Sequence, residues 1–376
     1  MPRSIISAPE SFILMGHSFF THATRSFFIL MARSFIVMRS SITFENRSFI
    51  SECALAIAVM IVGIGPTYSA SAQESKEAPE GQGAPEGRET REINGIQETQ
   101  EPTELSVRHD AEAGTIEVFV EGSTEPVVTQ HARAGDRPYI HPIIAPDGNG
   151  VLTQYRPEHH PHQTGLYWGL KELNGRDYFM QWRDEYYRRV SAHVVRKRGP
   201  HVRWQTVYDL LGADGRPILT ETQNWTMQQR EDVIMLDLEW TGEALADVML
   251  EQFYVGGLFL RMPWHPGADG DVANASGLRN GDAEGQRAIW TDVGVEIDGR
   301  TDHGHIAIFD HPDNEAFPVP WRVDNELGVG PSRQILGSWG LDEGERTTIR
   351  YRLLVYTGAR DPEELTRRWT QYAAEK

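Results

Sequence analysis

From residue 104 onward, apolar and polar positions mostly alternate with a period of two. Val233 to Trp240 puts Ile234, Leu236, Leu238 and Trp240 on one side and Asp237 and Glu239 on the other. Thr115 to Val120 and Val202 to Leu210 alternate likewise, and residues 347–357 align Ile349, Tyr351, Leu353 and Val355. Successive side chains of a strand point to opposite faces, so this is the signature of strands with one face on a core. Turn clusters separate the runs: Ala213-Asp214-Gly215-Arg216, Arg230-Glu231-Asp232 and Asp298-Gly299-Arg300. Many strands, tight turns and no alternating helices predict an all-β protein, a large antiparallel β-sandwich. One helix is predicted, at the C-terminus over 361–374. Asp361 caps it and Pro362 stands at its first position, where the missing amide proton costs nothing. Its Leu365, Trp369 and Tyr372 face packs on the sandwich.

The alternation is absent before residue 104. Residues 54–65, ALAIAVMIVGIG, form an apolar run of signal-peptide length, flanked upstream by Arg39 and Arg47. Ala70-Ser71-Ala72 offers a cleavage site before Gln73. The recurring Arg-Ser-Phe triplets upstream suggest an over-extended reading frame, with the true start at Met31 or Met38. Residues 1–72 are thus expected to be extension plus signal peptide. Residues 73–103 repeat APEG and hold almost nothing apolar, as in a flexible acidic linker. Residues 104–376 form the β-sandwich domain. Export to the periplasm or the extracellular space follows, and the only cysteine, Cys53, lies ahead of the cleavage site.

The formal charge of −18 on 376 residues argues against nucleic acid and anionic membrane surfaces as partners. No run of about 20 apolar residues follows residue 72, so nothing there is built to span a bilayer as a helix.

Chemistry concentrates in residues 137–170, RPYIHPIIAPDGNGVLTQYRPEHHPHQTGLYWGL. Four of the 14 histidines, His141, His159, His160 and His162, fall here among loop-forming Gly, Pro, Asp and Asn. Imidazole titrates near neutrality and binds metals, so a loop-borne cluster is a candidate site. If the chain is extended, His160 and His162 point to one side. Pro161 between them marks a loop or sheet edge. Tyr167 and Trp168 could wall a ligand site.

These residues carry a family likeness. The chain resembles the PmoA family of bacterial proteins, a domain of unknown function whose automatic label is methane oxygenase. The landmarks are Arg137-Pro138-Tyr139 with His141-Pro142, His160-Pro161-His162 with Gly165-Leu166, Gly256-Gly257 with Arg261, and Trp290-Thr291-Asp292 with Gly294. Asp310-His311-Pro312-Asp313-Asn314, Trp321 and a turn at Gly344 complete them. In the family a third histidine commonly follows the His-Pro-His triplet; here Gln163 stands there. The amide is a poor metal ligand, which favours two or three histidine ligands over four. The strand-rich plan is also similar to the galactose-mutarotase-like supersandwich of many carbohydrate-active proteins.

Candidate roles follow. His141, His160 and His162 are the catalytic candidates and also the candidate ligands of a divalent metal, the one cofactor such a cluster could take. His159 faces the other way in an extended chain. Arg261 ends an apolar strand and could clamp a ligand or pair with a carboxylate. Gln163, Trp168, Arg261, Trp290, Asp292, His311, Asn314 and Trp321 are the substrate-binding candidates. Asp302 to His305 reads as a solvated turn. Acidic residues such as Glu239 and Glu251 are too plentiful for the sequence to choose a general base. No phosphate loop, dinucleotide fingerprint, nucleophile elbow or HExxH helix is present.

The expected protein is a secreted, carbohydrate-active one, working by histidine acid–base chemistry as a lyase, epimerase or hydrolase, with or without a metal. Its partner is a carbohydrate or other small polar ligand. Two alternatives are a noncatalytic glycan-binding module and the metal-dependent oxidoreductase that the resemblance implies. N-terminal sequencing of the exported protein should find Gln73 as its first residue. A mature chain starting near Met1 would refute the signal peptide.

Overall fold

The computed structural model describes residues 102–230 and 232–375. The signal peptide expected within 1–72 and nearly all of the expected linker lie outside them. Among the described residues the strands build two large sheets and one small one. The nine-stranded sheet runs, in spatial order, Trp321–Val323, Gly328–Pro331, Gly257–Arg261, Leu166–Gly169, Tyr139–Ile143, Val128–His131, Thr115–Val120, Leu105–Asp110 and Arg198–Gly199. The eight-stranded sheet runs Gly270–Asn274, Trp290–Glu296, His303–Asp310, Arg346–Thr357, Val233–Ala244, Pro217–Arg230, His201–Leu211 and Tyr187–Arg196. Val248–Leu250 pairs with Trp339–Leu341. Neighbouring strands are antiparallel, for example Leu236 opposite both Met227 and Leu353. The all-β sandwich read from the alternation is the observed fold.

The core lies between the two large sheets. Ile234, Leu236, Leu238 and Trp240 face it, as their spacing requires. Trp168 of the nine-stranded sheet stacks on Trp240 of the other, with ring centroids 4.3 Å apart. An indole buried this way still needs an acceptor for its N–H. Strand Pro217–Arg230 supplies acceptors for Trp240 and Trp225 by placing polar residues at inward positions, while Trp168 Nε1 has no partner among the described residues. Trp240 Nε1 donates to Glu221 Oε2 at 3.1 Å, Gln223 Nε2 to Glu221 Oε1 at 3.2 Å, and Trp225 Nε1 to Gln223 Oε1 at 3.1 Å. Burial pushes the Glu221 carboxyl up to about 7, against the pull of these donors.

A second apolar layer lies on the outer face of the eight-stranded sheet, where Trp290, Phe309 and Leu354 meet the helix Pro362–Ala373 through Leu365 and Tyr372. The Asp361 side chain accepts from the amides of Glu363 at 3.0 Å and Glu364 at 3.1 Å, the predicted cap. Trp369 Nε1 donates to Asp310 O at 2.9 Å, which pins the helix to the end of strand His303–Asp310.

Residues 303–305 are not the solvated turn expected from the sequence. They open strand His303–Asp310, and His305 is buried with Nδ1 3.0 Å from Asp292 Oδ1 and Nε2 3.1 Å from Gly358 O. Two histidines around a glycine after Asp302 read as turn chemistry, but here the strand turns His305 toward a buried carboxylate.

The buried acid sets a testable pH dependence. Glu221 titrates near 7 in the folded chain and near 4.3 unfolded, so between those values the folded state holds the extra proton. Stability from this group therefore falls as pH rises through that window, by at most about 1.4 kcal/mol per pH unit. His141 and His162, depressed on folding, act in the opposite sense below about pH 6.5, but they titrate in both proteins of a comparison. Denaturant unfolding of wild type and Glu221→Gln should show the wild type losing ground to the variant from pH 4.5 to 7. A pH-independent difference would contradict the buried, proton-holding carboxyl.

Candidate functional site

Strands Leu166–Gly169 and Gly257–Arg261 are buried at every position. Their inward residues enter the core, so loops must cover the outer ones. On that outer face Tyr139, Tyr167 and Phe259 pack with Phe179 and Val255 from the covering loops. Among these apolar groups lie two arginines, Arg137 with 1% and Arg261 with 0% of its surface exposed.

Arg137 grips two loops. One nitrogen donates to Phe179 O and the other to His162 O at 2.6 Å, while the guanidinium lies 3.7 Å from the centroid of the Tyr167 ring. Arg261 ends its strand facing Glu326 and Asp324. Its Nη2 is 3.0 Å from Glu326 Oε2 and 3.0 Å from His159 Nε2, its Nη1 is 3.6 Å from Asp324 Oδ2, and its Nε donates to Gln154 Oε1 at 3.3 Å. Asp324 in turn accepts the amides of Glu326 at 2.9 Å and Gly328 at 2.7 Å, which fixes the turn carrying both carboxylates.

The histidine loop is two consecutive tight turns, closed by His160 N to Pro157 O at 2.9 Å and Gln163 N to His160 O at 3.0 Å. The extended geometry expected to align His160 and His162 is therefore absent. The turns bring the two rings together by another route, edge to face with centroids 5.6 Å apart. Gly165, at φ +85°, lets the loop re-enter the sheet, since a Cβ there would stand 2.6 Å from Ile140 O.

His160 and His162 line a small open cleft of about 130 Å³, below the range of sites that enclose a whole drug-sized ligand. Lys171, ion-paired with Asp177, and the carboxylate of Asp324 also face it, with Phe179 and Phe259 as apolar wall. His160 Nδ1 is buried 3.1 Å from Glu326 Oε2, off the line of a well-aligned hydrogen bond. With Nδ1 turned inward, the Nε2 side is what the ring offers to the cleft. Burial raises the Glu326 carboxyl, but Arg261, His159 and His160 outweigh it and hold the group below its usual range. Burial, then the charge of Arg137, then His160 depress His162 to about 4. At neutral pH its imidazole is uncharged and suited to hydrogen-bonding a hydroxyl. Gln163 also lines the cleft, and its Oε1 lacks a partner.

The other predicted residues lie elsewhere. His141 does not join the cleft: its Nδ1 is 2.9 Å from Thr153 Oγ1 and its ring stacks against Tyr155. Trp168 is in the core. Trp290 is buried under the helix, with Nε1 bonded to Thr366 Oγ1 at 3.1 Å, and Trp321 is buried with Nε1 bonded to Ala288 O at 2.9 Å. Asp292 is an internal anion held by His305, Tyr356 and Arg360. His311 packs on Tyr372, and Asn314 ties Asp310 to the backbone of Arg350. The 310–314 loop thus buttresses the helix side. Sequence reasoning passed over Glu326, Asp324, Lys171 and Asp177, and undervalued His159. The Arg-Val-Asp-Asn-Glu-Leu-Gly run at 322–328, two carboxylates on a turn after a short strand, was the available signal for the first two.

The metal-type cluster is also different from the expected His141, His160 and His162. His159, His160 and Glu326 bring one ligand atom each within 4.8 Å of one another. Arg261 Nη2, 3.0 Å from two of those atoms, already supplies a positive charge there. A divalent cation would meet it head-on.

Fold and site together define a β-sandwich protein with a histidine-lined cleft on the outer face of its larger sheet. Residues 118–370, more than half of the chain, match DUF6807, a family of unknown function, and the chain belongs to that family. The PmoA-family name drawn from the sequence remains a resemblance. No curated protein matches the sequence. Among solved structures, the fold is similar to a glycoside hydrolase family 36 α-galactosidase from Geobacillus stearothermophilus, at TM-score 0.37 and 8% identity over 67% of this chain and 41% of that one. It is similar to a galactose mutarotase related enzyme from Lactobacillus acidophilus at TM-score 0.29 and 7% identity, over 67% of this chain and 97% of that one. A polysaccharide lyase aligns at TM-score 0.30 and 10% identity, over 72% of this chain and 34% of that one. The chain spans about two fifths of the length of the galactosidases it matches. Likenesses this distant carry no argument about function. No helix among the described residues is long and apolar enough to cross a membrane.

Arg261→Met should be costly, because it strands Glu326 and Asp324 around an apolar side chain. Their partial exposure softens the penalty, and urea unfolding should show a loss of about 2–4 kcal/mol. A change under about 0.5 kcal/mol, the level of an ordinary surface substitution, would mean the pairings do not hold the site.

Proposed function

We propose that the protein is an exported carbohydrate-active enzyme of acid–base type, a lyase, epimerase or hydrolase. The observation that carries this reading is the His160–Glu326 pair at the cleft. A carboxylate held by Arg261 stands behind one ring nitrogen, which leaves the other facing the ligand. A small turn of the ring that brings Nδ1 onto Glu326 makes this the arrangement by which a carboxylate orients an imidazole as a proton acceptor. His162, uncharged at neutral pH, and Gln163 are suited to hydroxyl groups. Lys171, against Asp177, is suited to stabilising negative charge that develops on an oxygen. A polyhydroxylated, largely uncharged ring matches this mix of amide, imidazole and aromatic wall better than an apolar or phosphorylated ligand does.

The readings weighed beside it have less support. A noncatalytic module built on tryptophan platforms needs Trp168, Trp290 or Trp321 at the surface, and all three are buried. A metal-dependent oxidoreductase needs a cation among His159, His160 and Glu326, where Arg261 competes with it.

The test is turnover of an oligosaccharide panel by the chain from Gln73 onward. On the substrate found, His160→Ala should lower kcat/KM by roughly 10²–10⁴-fold. Glu326→Gln should lower it less, and dialysis against EDTA should leave it unchanged. Full activity in His160→Ala would remove the acid–base role. Loss with EDTA and recovery with a divalent ion would return the metal reading to the front.

A further inference from the structure

One element singled out by the sequence has no part in this chemistry: His141 and the rings around it. His141 and Tyr139 are two apart on strand Tyr139–Ile143, so both project from the outer face of the sheet. The Tyr155 ring lies nearly parallel to both, at 22° and 27°, with centroids 5.4 and 5.5 Å away. The ring thus stacks on two neighbours from one strand and still keeps part of its surface open to solvent. Tyr155 is accordingly 39% exposed. The base beneath it is firm. Tyr139 stacks on His131 at 4.5 Å, and His131 Nε2 is 2.9 Å from His141 O. Burial, then the His131 charge, depress His141 to about 4, so at neutral pH it acts as an uncharged flat ring and not as a cation.

This surface adjoins the cleft through one residue. Arg156, next to Tyr155, donates from Nε to Pro161 O at 3.0 Å, the carbonyl between the two cleft histidines. Its guanidinium lies 4.7 Å from the Trp182 ring centroid and 5.8 Å from that of Tyr155. Among the described residues, its side chain engages in a hydrogen bond only through Nε, and the Nη groups remain as donors. A flat aromatic face, a guanidinium edge and a second half-buried ring thus stand beside the His160–His162 loop.

We propose that Tyr155 is an outer subsite on which a second sugar ring stacks, so that the natural ligand is an oligosaccharide or a chain end and not a free monosaccharide. This rests on the carbohydrate reading of the cleft. The apolar face of a pyranose covers an aromatic ring, while Arg156 Nη groups reach its hydroxyls. The unit in the cleft then holds the reacting atoms, and the unit on Tyr155 adds binding energy.

The test is calorimetric binding of mono- to hexasaccharides from cellulose, xylan and galactan, with turnover measured in parallel. Wild type should bind the disaccharide or longer members about tenfold or more tightly than the monosaccharide of the same series. Tyr155→Ala should abolish that gain and leave monosaccharide binding unchanged, and Tyr155→Phe should retain it, because the face and not the hydroxyl does the stacking. Thermal unfolding reports whether Tyr155→Ala folds; if it does not, Trp182→Ala, at the far end of the same surface, should lose part of the gain. Equal loss for short and long ligands, or no loss in any variant, would overturn the subsite while leaving the cleft reading standing. Failure of the wild type to bind or turn over any of these sugars would instead sink the carbohydrate reading, and the subsite with it.

Discussion

A guanidinium group on an apolar sheet face is tolerable only where carbonyls and carboxylates reach it, and Arg137 and Arg261 find theirs in the loops of the cleft. Transfer of an ion from water into such surroundings costs several kcal/mol unless it is paired and hydrogen-bonded. Arg137 meets this need with the carbonyls of Phe179 and His162, and Arg261 with Glu326, Asp324 and Gln154. The dependence runs both ways. The loops are anchored by apolar contacts through Phe179 and Val255, and the arginines add a polar anchorage to these. The same pairings place His162 by its own carbonyl and His160 through Glu326. Structure and chemistry are thus coupled at two points, and a change at either arginine is felt as stability and as misplacement of an imidazole.

The same economy appears in the core. Tryptophan brings area to a sandwich interior but also an N–H that must be satisfied. Strand Pro217–Arg230 answers by putting Glu221 and Gln223 inward, where the alternation calls for apolar side chains. The consequence is a carboxyl that gives up its proton only near pH 7. Such a group ties strand Pro217–Arg230 to its neighbour Val233–Ala244, because only their observed register presents it to Trp240. It does so at some expense to stability when charged.

This explains what the sequence made legible. Strands 115–120 and 233–240 and the capped helix were readable because one face of each meets a core and the other meets water, and local spacing records that contrast. The histidine loop was readable as a cluster because its residues are close in sequence. The pairing of Arg261 with Glu326 was not, since 65 residues separate them and only the neighbouring strands Gly257–Arg261 and Gly328–Pro331 bring them together. His141 misled for the converse reason. It is near His160 in the chain, yet strand Tyr139–Ile143 and Thr153 fix it on Tyr155, outside the cleft. The landmark residues Trp290, Asp292, Asn314 and Trp321 proved to be internal ties. A polar or aromatic residue at a strand end looks the same in sequence whether it meets a ligand or a buried carbonyl.

The charge pattern of the cleft bears on what it can accept. Lys171 is matched by Asp177, Arg322 by Glu284, and Arg261 by Glu326 and Asp324. His162 is uncharged at neutral pH. Among the described residues that line it, each cation already has its anion. A ligand with a phosphate or carboxylate would have to displace one of these partners before gaining a charge contact. A hydroxylated ring displaces only water and exchanges one set of neutral hydrogen bonds for another, while its apolar face takes the aromatic wall. Whole-chain acidity then works in the same direction, since a field of that sign repels anionic polymers before they reach the cleft. Inside the cleft, discrimination against anions is therefore built twice, once by local pairing and once at long range, and the long-range part weakens with added salt while the local part does not.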